Sequence, residues 1–310
     1  MGAPVRVGLT GSSGFIGTAL VEALRERGDE VVRFVRPDSG IQGEPVIRWD
    51  PSRHLVDEQD LSRAGGFDAV VNLAGAGIGD RRWSDDRKRE ILRSRVDSTS
   101  LLVQALRSTS NGTSTLASGS AVGYYGSRGD EELSETSTAG DDFLARACVQ
   151  WEDAARALSD DGANVATLRS GIVMSADGGA LRRQLPLFRL GVGGPLSSGR
   201  QWLSPISLVD EVRAILWTVD HRVSGPVNLT CPEPITNLLF TKELAKALHR
   251  PAVVRVPEFA LRVVLGSQLA REAALASQRV VPQVLSQAGF VFQNHDTHAI
   301  VGEVVRLRTN

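Results

Sequence analysis

Short apolar stretches alternate with amphipathic stretches along the first half of the chain. Residues 5–10, 68–74 and 165–173 are apolar on both faces, as in strands buried within a parallel sheet. Further strands are predicted over 30–35, 46–49 and 114–118, and helical spacing is found over 18–27, 85–106 and 141–158. Because strands that alternate with helices pair in parallel through right-handed crossovers, we predict an α/β fold with a doubly wound parallel sheet.

The pattern changes after Met174. Residues 178–199 are rich in glycine and proline, and helices are predicted over 208–219 and 236–248, with helical patterns to about residue 288. Short strands are predicted at 226–230 and 252–256. We therefore predict a large domain over 1–175, to which the chain returns at about 204–230, and a smaller C-terminal α/β lobe over 176–203 and 231–310.

Composition narrows the functional classes. The chain has 310 residues and a net charge of −1, without the basic excess of a general nucleic-acid binder. Two cysteines cannot form a disulfide framework, and the five histidines lack zinc-site spacing, so no metal is expected. Without a run of about 18 apolar residues or a leader pattern, we expect no membrane contact and a cytoplasmic protein.

A glycine-rich loop follows the first predicted strand. Gly11, Gly14 and Gly17 are spaced G-x-x-G-x-x-G and lead into a helix. In a strand–loop–helix unit such glycines allow a tight turn, close approach of a pyrophosphate, and close packing of helix on strand. The loop therefore predicts a dinucleotide site, to which Ser13, Phe15 and Ile16 also belong. The alternative is an ordinary glycine turn.

The end of the second predicted strand bears on the choice of dinucleotide. Arg36 lies 19 residues after Gly17, Arg33 lies on the same strand, and no acidic residue occupies 31–37. An acidic residue here would bind the ribose 2′-hydroxyl of NAD, whereas an arginine accommodates the 2′-phosphate of NADP. NADP(H) is therefore favoured over NAD(H). The alternative is a solvated arginine at a strand end.

Several segments together resemble one protein family. They are TGSSGFIG (10–17), RWDP (48–51), NLAG (72–75), AGAGIGDRRWSDDRKREILRSRV (74–96), SGSAVGYYG (118–126), SGRQWLSPISLVDEV (198–212), SQRVVP (277–282) and GFVF (289–292). The chain is similar to atypical extended short-chain dehydrogenases/reductases, in the branch of sugar-nucleotide epimerase-like proteins with a C-terminal domain of unknown function. The resemblance implies a Rossmann-type sheet. It also implies that Leu73, Ala74, Gly75, Ser118 and Gly171 contribute to the cofactor site.

The resemblance also exposes a departure from the superfamily pattern. Active members carry a serine or threonine and a Y-x-x-x-K pair, in which lysine lowers the tyrosine pKa and holds the nicotinamide ribose. Here the two positions of that pair fall near Leu144 and Cys148, and Y-x-x-x-K is absent from the sequence. This puts ordinary hydride-transfer chemistry in doubt.

Three residues remain as catalytic candidates. Ser120 matches the superfamily serine, and Tyr124 or Tyr125 could replace the missing phenol, with Arg128 or Arg169 lowering its pKa. The alternatives are a turn serine and a packed aromatic whose hydroxyl has a partner. Arg169, in an apolar strand, needs a partner and could serve structure alone.

Candidate substrate residues come from two segments. By resemblance Arg81 and Trp83 lie near the substrate cleft, and the residues Arg200, Gln201 and Trp202 could line a nucleotide or sugar site. The alternatives are a solvated helix face and a surface loop. Asp210 and Glu211 are interpreted as charges that cap the following helix.

Two functional hypotheses follow. The first is an NADP(H)-binding oxidoreductase or epimerase that acts on a nucleotide sugar or a similar anionic carbonyl or alcohol. The second is a catalytically inactive NADP(H)-binding sensor or partner-binding protein, which the missing Y-x-x-x-K favours. In either case we expect a small-molecule ligand and a monomer or homodimer.

Overall fold

The computed structural model describes residues 4–41, 45–109 and 113–306. In chain order, the strands are β1 (Arg6–Thr10), β2 (Glu30–Val35), β3 (Val46–Asp50), β4 (Leu55–Val56), β5 (Ala69–Asn72), β6 (Thr115–Ala121), β7 (Glu132–Leu133), β8 (Asn164–Ser170), β9 (Ile172–Met174), β10 (Trp202–Leu203), β11 (Pro205–Ser207), β12 (Gly225–Leu229), β13 (Ile235–Thr236) and β14 (Arg279–Val280).

The helices of the described residues are α1 (Phe15–Glu26), α2 (Glu58–Ala64), α3 (Asp85–Arg107), α4 (Phe143–Arg156), α5 (Gly179–Arg189), α6 (Leu208–Asp220), α7 (Asn237–Leu248), α8 (Glu258–Leu265), α9 (Ser267–Leu269), α10 (Gln283–Gln287) and α11 (Thr297–Arg306). Short 3₁₀ helices cover Val122–Tyr125 and Ser159–Asp161, and a π-helical segment covers Ala270–Ala274. Among the helices of these ranges, none has the length and apolar composition needed to cross a bilayer.

One large sheet organises the molecule. Its strand order is β12-β8-β6-β5-β1-β2-β3-β4, and its pairs are parallel except for the antiparallel edge pair of β3 and β4. The chain winds outward from β1 through β2 and β3, then returns and winds the other way from β5. The predicted α/β class is thereby confirmed. The order reverses between β1 and β5, the place where open α/β sheets bind ligands.

Both faces of the sheet are buried, as the apolar strands predict. On β5, Ala69 and Val71 join one hydrophobic cluster while Val70 joins the other. The first cluster includes Leu20 and Leu24 of α1 and much of α6, and the second includes α3. A third, smaller cluster joins α5, α7 and α11 in the C-terminal region. The sheet is thus a rigid support for the loops at its carboxyl edge.

Two predicted strands differ in the structure. The strand predicted over 165–173 divides into β8 and β9 at Gly171, because the chain there passes within contact distance of a segment distant in sequence. A Cβ on Gly171 would lie 2.2 Å from the Ser204 carbonyl oxygen. The strand predicted over 252–256 is wrong: only Val256 forms a bridge, with Leu196, while Val253 and Val254 are exposed.

Candidate functional site

The glycine loop connects β1 to α1 at the reversal point of the sheet. Gly11 has a φ of +66°, and a Cβ there would lie 2.5 Å from the Leu73 carbonyl oxygen. A Cβ on Gly17 would lie 2.1 Å from the Gly11 carbonyl oxygen. The fold itself therefore requires both of these glycines.

Gly14 differs from its two neighbours in the motif. It is exposed and extended, and the one described atom near a Cβ at this position is the Gly11 carbonyl oxygen, at 3.1 Å. A Cβ there would need a shift of a few tenths of an ångström, so packing within the protein restricts Gly14 less than it restricts Gly11 or Gly17. A pyrophosphate that approaches the backbone closely, as in dinucleotide-binding loops, would account for a glycine at this position.

The N-terminus of α1 has no side-chain cap and no acidic residue in its first turn. Five other helices are preceded by a residue whose side chain accepts a hydrogen bond from a backbone N–H of the first turn. These residues are Asp57, Ser84, Asp142, Ser207 and Thr236. Uncapped N–H groups and the positive end of the helix dipole favour an anion. Together with the exposed backbone at Gly14, this end of α1 fits a pyrophosphate group.

The predicted cofactor residues of the loop contribute in different ways. Ser13 is exposed beside Gly14, whereas the half-buried Ile16 packs against the first hydrophobic cluster. The Phe15 ring covers Gly178 at the start of α5, where a Cβ would lie 2.1 Å from the ring. The loop is thereby held against α5 as well as against the sheet.

A buried polar network holds the segment after β5 beside the glycine loop. Thr10 donates to Asn72 Oδ1 at 2.7 Å and accepts the N–H groups of Leu73 and Ala74, both at 3.1 Å. Asn72 in turn donates to Ser118 at 3.0 Å. Ser118 is completely buried, and through this hydrogen bond its side chain supports this edge of the sheet.

Two arginines stand at the end of β2. The Arg33 Nε donates to Ser12 of the glycine loop at 2.9 Å. Arg36 is more than half exposed and pairs with Asp50 at 2.8 Å. Both guanidinium groups therefore belong to the carboxyl end of the strand that borders the loop, which fits an anionic group on the ribose. The exposure of Arg36 is also what the solvated-arginine alternative expects.

Behind the catalytic candidates lies a buried ion pair. Arg169 on β8 and Glu152 on α4 form two hydrogen bonds, at 2.8 and 3.0 Å, with side chains 3% and 0% exposed. Ser120 donates to the same carboxylate at 2.7 Å. Glu152 is thus the partner that a buried Arg169 required, and the Ser120 hydroxyl already has an acceptor. Sequence reasoning did not identify Glu152.

The two tyrosines occupy different environments. Tyr125 is fully buried; its hydroxyl donates to Asn228 Oδ1 at 2.7 Å and accepts from Arg169 at 3.0 Å. Burial raises the pKa of Tyr125 to about 12, and Arg169 opposes this only in part. Tyr125 therefore has the features of the packed-aromatic alternative, which do not suit an acid/base group near neutral pH.

Tyr124 is half-buried and lies under the Arg169 guanidinium, whose Cζ is 3.4 Å from the ring centroid. In the described part of the chain its hydroxyl has no hydrogen-bond partner, so this phenol is available to a ligand. Arg169 is thus the cation that contacts the Tyr124 ring, and Arg128 pairs with Glu131 at 2.7 Å.

The positions that align with Y-x-x-x-K contain no acid/base pair. Leu144 and Cys148 are both buried on α4, and both lie under Gly123. Burial raises the pKa of the Cys148 thiol to about 11. The structure thus places a neutral, enclosed thiol where the resemblance expects a lysine.

The predicted substrate residues are only partly free to bind a ligand. Arg81 pairs with Glu90, and the Trp83 indole donates to the Ile78 carbonyl oxygen at 2.8 Å while its ring meets Phe143 edge to face. In the second segment, Arg200 is exposed. Gln201 is buried and its side chain donates to the Leu196 carbonyl oxygen. The Trp202 indole donates to Asp130, and the Arg279 guanidinium lies over its ring. Gln201 and Trp202 are therefore committed to protein contacts, and Arg200 is not.

The two acidic residues Asp210 and Glu211 lie in the first turn of α6, where a charge cap is expected, and each also has a partner outside the helix. Asp210 accepts the backbone N–H groups of Gln293 and Asn294 and so connects the C-terminal region to α6. Glu211 is fully buried, accepts a hydrogen bond from Ser170 at 2.6 Å, and has a second oxygen without a partner in the described residues. Burial raises its pKa to about 8, which favours a neutral carboxyl group.

Comparison with known proteins gives matches over nearly the whole chain. The model of the NAD dependent epimerase/dehydratase family matches residues 7–229, and that of a domain of unknown function (DUF1731) matches 256–299. Epimerase family protein Mb2239 of Mycobacterium bovis is 42% identical over 98% of this chain and 97% of its own length.

Two solved structures are similar in fold and in sequence. Human epimerase family protein SDR39U1, crystallised with NADPH, gives a TM-score of 0.87 at 32% identity, covering 97% of this chain and 99% of that one. A nucleoside-diphosphate sugar epimerase from Corynebacterium glutamicum gives a TM-score of 0.77 at 35% identity, covering 98% of this chain and 59% of that one.

Proposed function

Because the chain belongs to the NAD dependent epimerase/dehydratase family, we propose that it is an NADP(H)-binding oxidoreductase or epimerase whose substrate is a nucleotide sugar or a similar anionic carbonyl or alcohol. The resemblance noted in the sequence motifs, including the C-terminal domain, is confirmed by the same matches. The observation that carries the proposal is the uncapped start of α1 beside Gly14, at the reversal point of the sheet.

The preference for NADP(H) is supported by the two arginines at the end of β2. A guanidinium group pairs with a phosphate through charge-assisted hydrogen bonds. Arg33 already contacts the glycine loop, and Arg36 is exposed enough to turn from Asp50 to a ligand. The human relative was crystallised with NADPH, which agrees with this preference.

The substrate class is supported by a relative and by the residues of the cleft. The Corynebacterium glutamicum protein is described as a nucleoside-diphosphate sugar epimerase. The exposed guanidinium of Arg200 could meet a diphosphate, and the Tyr124 phenol offers a hydrogen bond to a sugar hydroxyl or carbonyl. When bound, the nicotinamide would accept or supply a hydride at the sugar carbon.

In this scheme Tyr124 exchanges the proton and Arg169 holds the ring in place from above. Ser120 and Glu152 act behind them: Glu152 keeps the guanidinium charged and fixed, and Ser120 joins that carboxylate to the end of β6. Tyr125 positions Arg169 through its hydroxyl and takes no part in proton transfer.

Specific contacts favour the second hypothesis, a cofactor-binding protein without turnover. The Ser120 hydroxyl donates a hydrogen bond to Glu152, and the buried Tyr125 hydroxyl donates one to Asn228. Cys148 stands where a lysine is expected. A protein that keeps the glycine loop but has committed these groups to its own structure could bind NADP(H) and signal its presence to a partner.

A substrate panel separates the two hypotheses. The protein is incubated with nucleoside-diphosphate sugars and NADP⁺ or NADPH, and the sugar ring is followed by NMR while the nicotinamide absorbance is recorded. Net oxidation or reduction changes the absorbance, whereas epimerisation changes the sugar spectrum alone. Loss of either signal in Tyr124→Phe supports the enzyme; the absence of both signals with intact NADPH binding supports the sensor.

A further inference from the structure

Arg95 lies on α3 and points toward the segment that follows β5. Its Nη1 donates to the carbonyl oxygens of Ala76 and Ile91, both at 3.0 Å. The guanidinium carbon is 5.0 Å from the centroid of the Trp151 ring. A Cβ on Gly75 would lie 3.3 Å from the same carbon, so the glycine leaves room for this side chain.

The charge of Arg95 has no carboxylate partner within 4 Å in the described residues, in contrast to the buried Arg87 and Arg169. Burial also lowers the pKa of Arg95, which means that the surroundings destabilise its charged form. A guanidinium group has five N–H donors, and both of its hydrogen bonds here come from Nη1. None of its remaining nitrogens is sealed inside the protein.

The location of these free donors suggests what they bind. A dinucleotide crosses the reversal point of a doubly wound sheet, with its pyrophosphate at the first helix and its two nucleosides on opposite sides. One nucleoside then lies toward β2, where Arg36 stands, and the other toward β5 and β6. Arg95 stands beside Gly75, directly after β5, on the side of the second nucleoside.

Resting on the proposed function, we infer that Arg95 is a cofactor-binding residue, whose guanidinium donates hydrogen bonds to the ribose hydroxyls of the nicotinamide nucleoside. Ribose oxygens are acceptors that such a cation can bind without a full counter-charge. Cys148 occupies the position where the resemblance expects a lysine, and it lies close enough to Arg95 for the two side chains to interact electrostatically. The cation of this site therefore comes from α3 instead of α4.

The test compares two ligands that differ in the half of the cofactor that they contain. NADPH carries both nucleosides, and 2′,5′-ADP carries only the adenosine half with its 2′-phosphate. Calorimetric dissociation constants are measured for the wild type, Arg95→Gln, Arg95→Lys and the matched control Arg93→Gln, an exposed arginine of the same helix. Thermal unfolding of each variant shows whether its fold is intact.

Arg95→Gln is expected to weaken NADPH binding by about ten- to a hundredfold, the loss of one or two hydrogen bonds from a charged donor, and to leave 2′,5′-ADP binding unchanged. Arg95→Lys should recover part of the loss, and Arg93→Gln should change neither. Equal effects on both ligands, or none on NADPH, would overturn the inference while the proposed function stands. A wild type that binds neither ligand would overturn both.

Discussion

Replacing Glu152 by glutamine removes the carboxylate that neutralises Arg169 at the centre of the candidate site. The four hydrogen bonds of this carboxylate come from Ser120 at 2.7 Å, Arg169 at 2.8 and 3.0 Å, and Arg156 at 2.9 Å. Glutamine has the same shape but offers one acceptor oxygen and no charge. The Arg169 guanidinium, 3% exposed, would then be a buried cation without a counter-ion.

Breaking one side of a buried ion pair typically costs about 3–5 kcal/mol. Arg169 keeps its hydrogen bonds to the Tyr125 hydroxyl and the Glu135 carbonyl oxygen, and its position over the Tyr124 ring. These contacts place the expected loss near the lower end of the range, about 3 kcal/mol. The half-exposed Arg156 adds less than about 1 kcal/mol to this loss.

The assay is urea unfolding of the wild type, Glu152→Gln and the control Asp153→Asn. Their free energies of unfolding are compared with one common slope of free energy against urea concentration. Asp153 pairs with Arg156 on the same helix but is 59% exposed, so its loss should stay below about 1 kcal/mol. Adding Arg169→Met to Glu152→Gln should restore part of the stability, because an apolar side chain needs no counter-ion. A Glu152→Gln loss no larger than that of Asp153→Asn would refute the reasoning.

Three further predictions concern the loop and the buried titratable groups. Gly17→Ala should lower the free energy of unfolding in urea by about 1–3 kcal/mol, because the backbone must move. Gly14→Ala should lower it by less than about 1 kcal/mol, yet weaken NADPH binding at least about tenfold. Equal losses of unfolding free energy in the two variants would contradict the loop assignment. Folding raises the pKa of Glu211 from 4.5 to about 8. Between these two pH values the unfolded chain releases a proton that the folded protein keeps, so stability falls as pH rises from about 4.5 to about 8. Glu211→Gln should lose less stability over the same window, by on the order of a few kcal/mol, and parallel pH profiles in urea unfolding would speak against the assignment. Cys148, with its pKa raised to about 11, should react with iodoacetamide only after unfolding, as peptide mass mapping would show; rapid labelling of the native protein would rule out its burial.

The parallel sheet could be predicted from the sequence because each of its central strands is buried on both faces. Ala69, Val70 and Val71 are all apolar although successive residues of a strand face opposite sides of the sheet, and this pattern is visible in the sequence. The division at Gly171 was not predictable, since the carbonyl that forbids a side chain belongs to Ser204. Residues 252–256 have strand-like composition but lack a neighbouring strand, which periodicity does not reveal.

The candidate site was predictable to a similar degree. The glycine loop and Arg36 could be placed near each other because their spacing follows from one strand–helix–strand unit. Tyr124 and Tyr125 are adjacent in sequence, and what distinguishes them comes from elsewhere. The Tyr125 hydroxyl is held by Arg169 and Asn228, which are 44 and 103 residues away along the chain. Such long-range partners decide which hydroxyl is free for chemistry.

Calorimetric titration with NADPH and with NADH, on the wild type and on Arg36→Asp, tests the central claim most directly. The wild type should bind NADPH at least about tenfold more tightly than NADH, because the 2′-phosphate gains charge-assisted hydrogen bonds. Arg36→Asp should abolish that preference. Failure of the wild type to bind either dinucleotide, or equal affinity for the two, would contradict the assignment of this loop and its arginines to NADP(H).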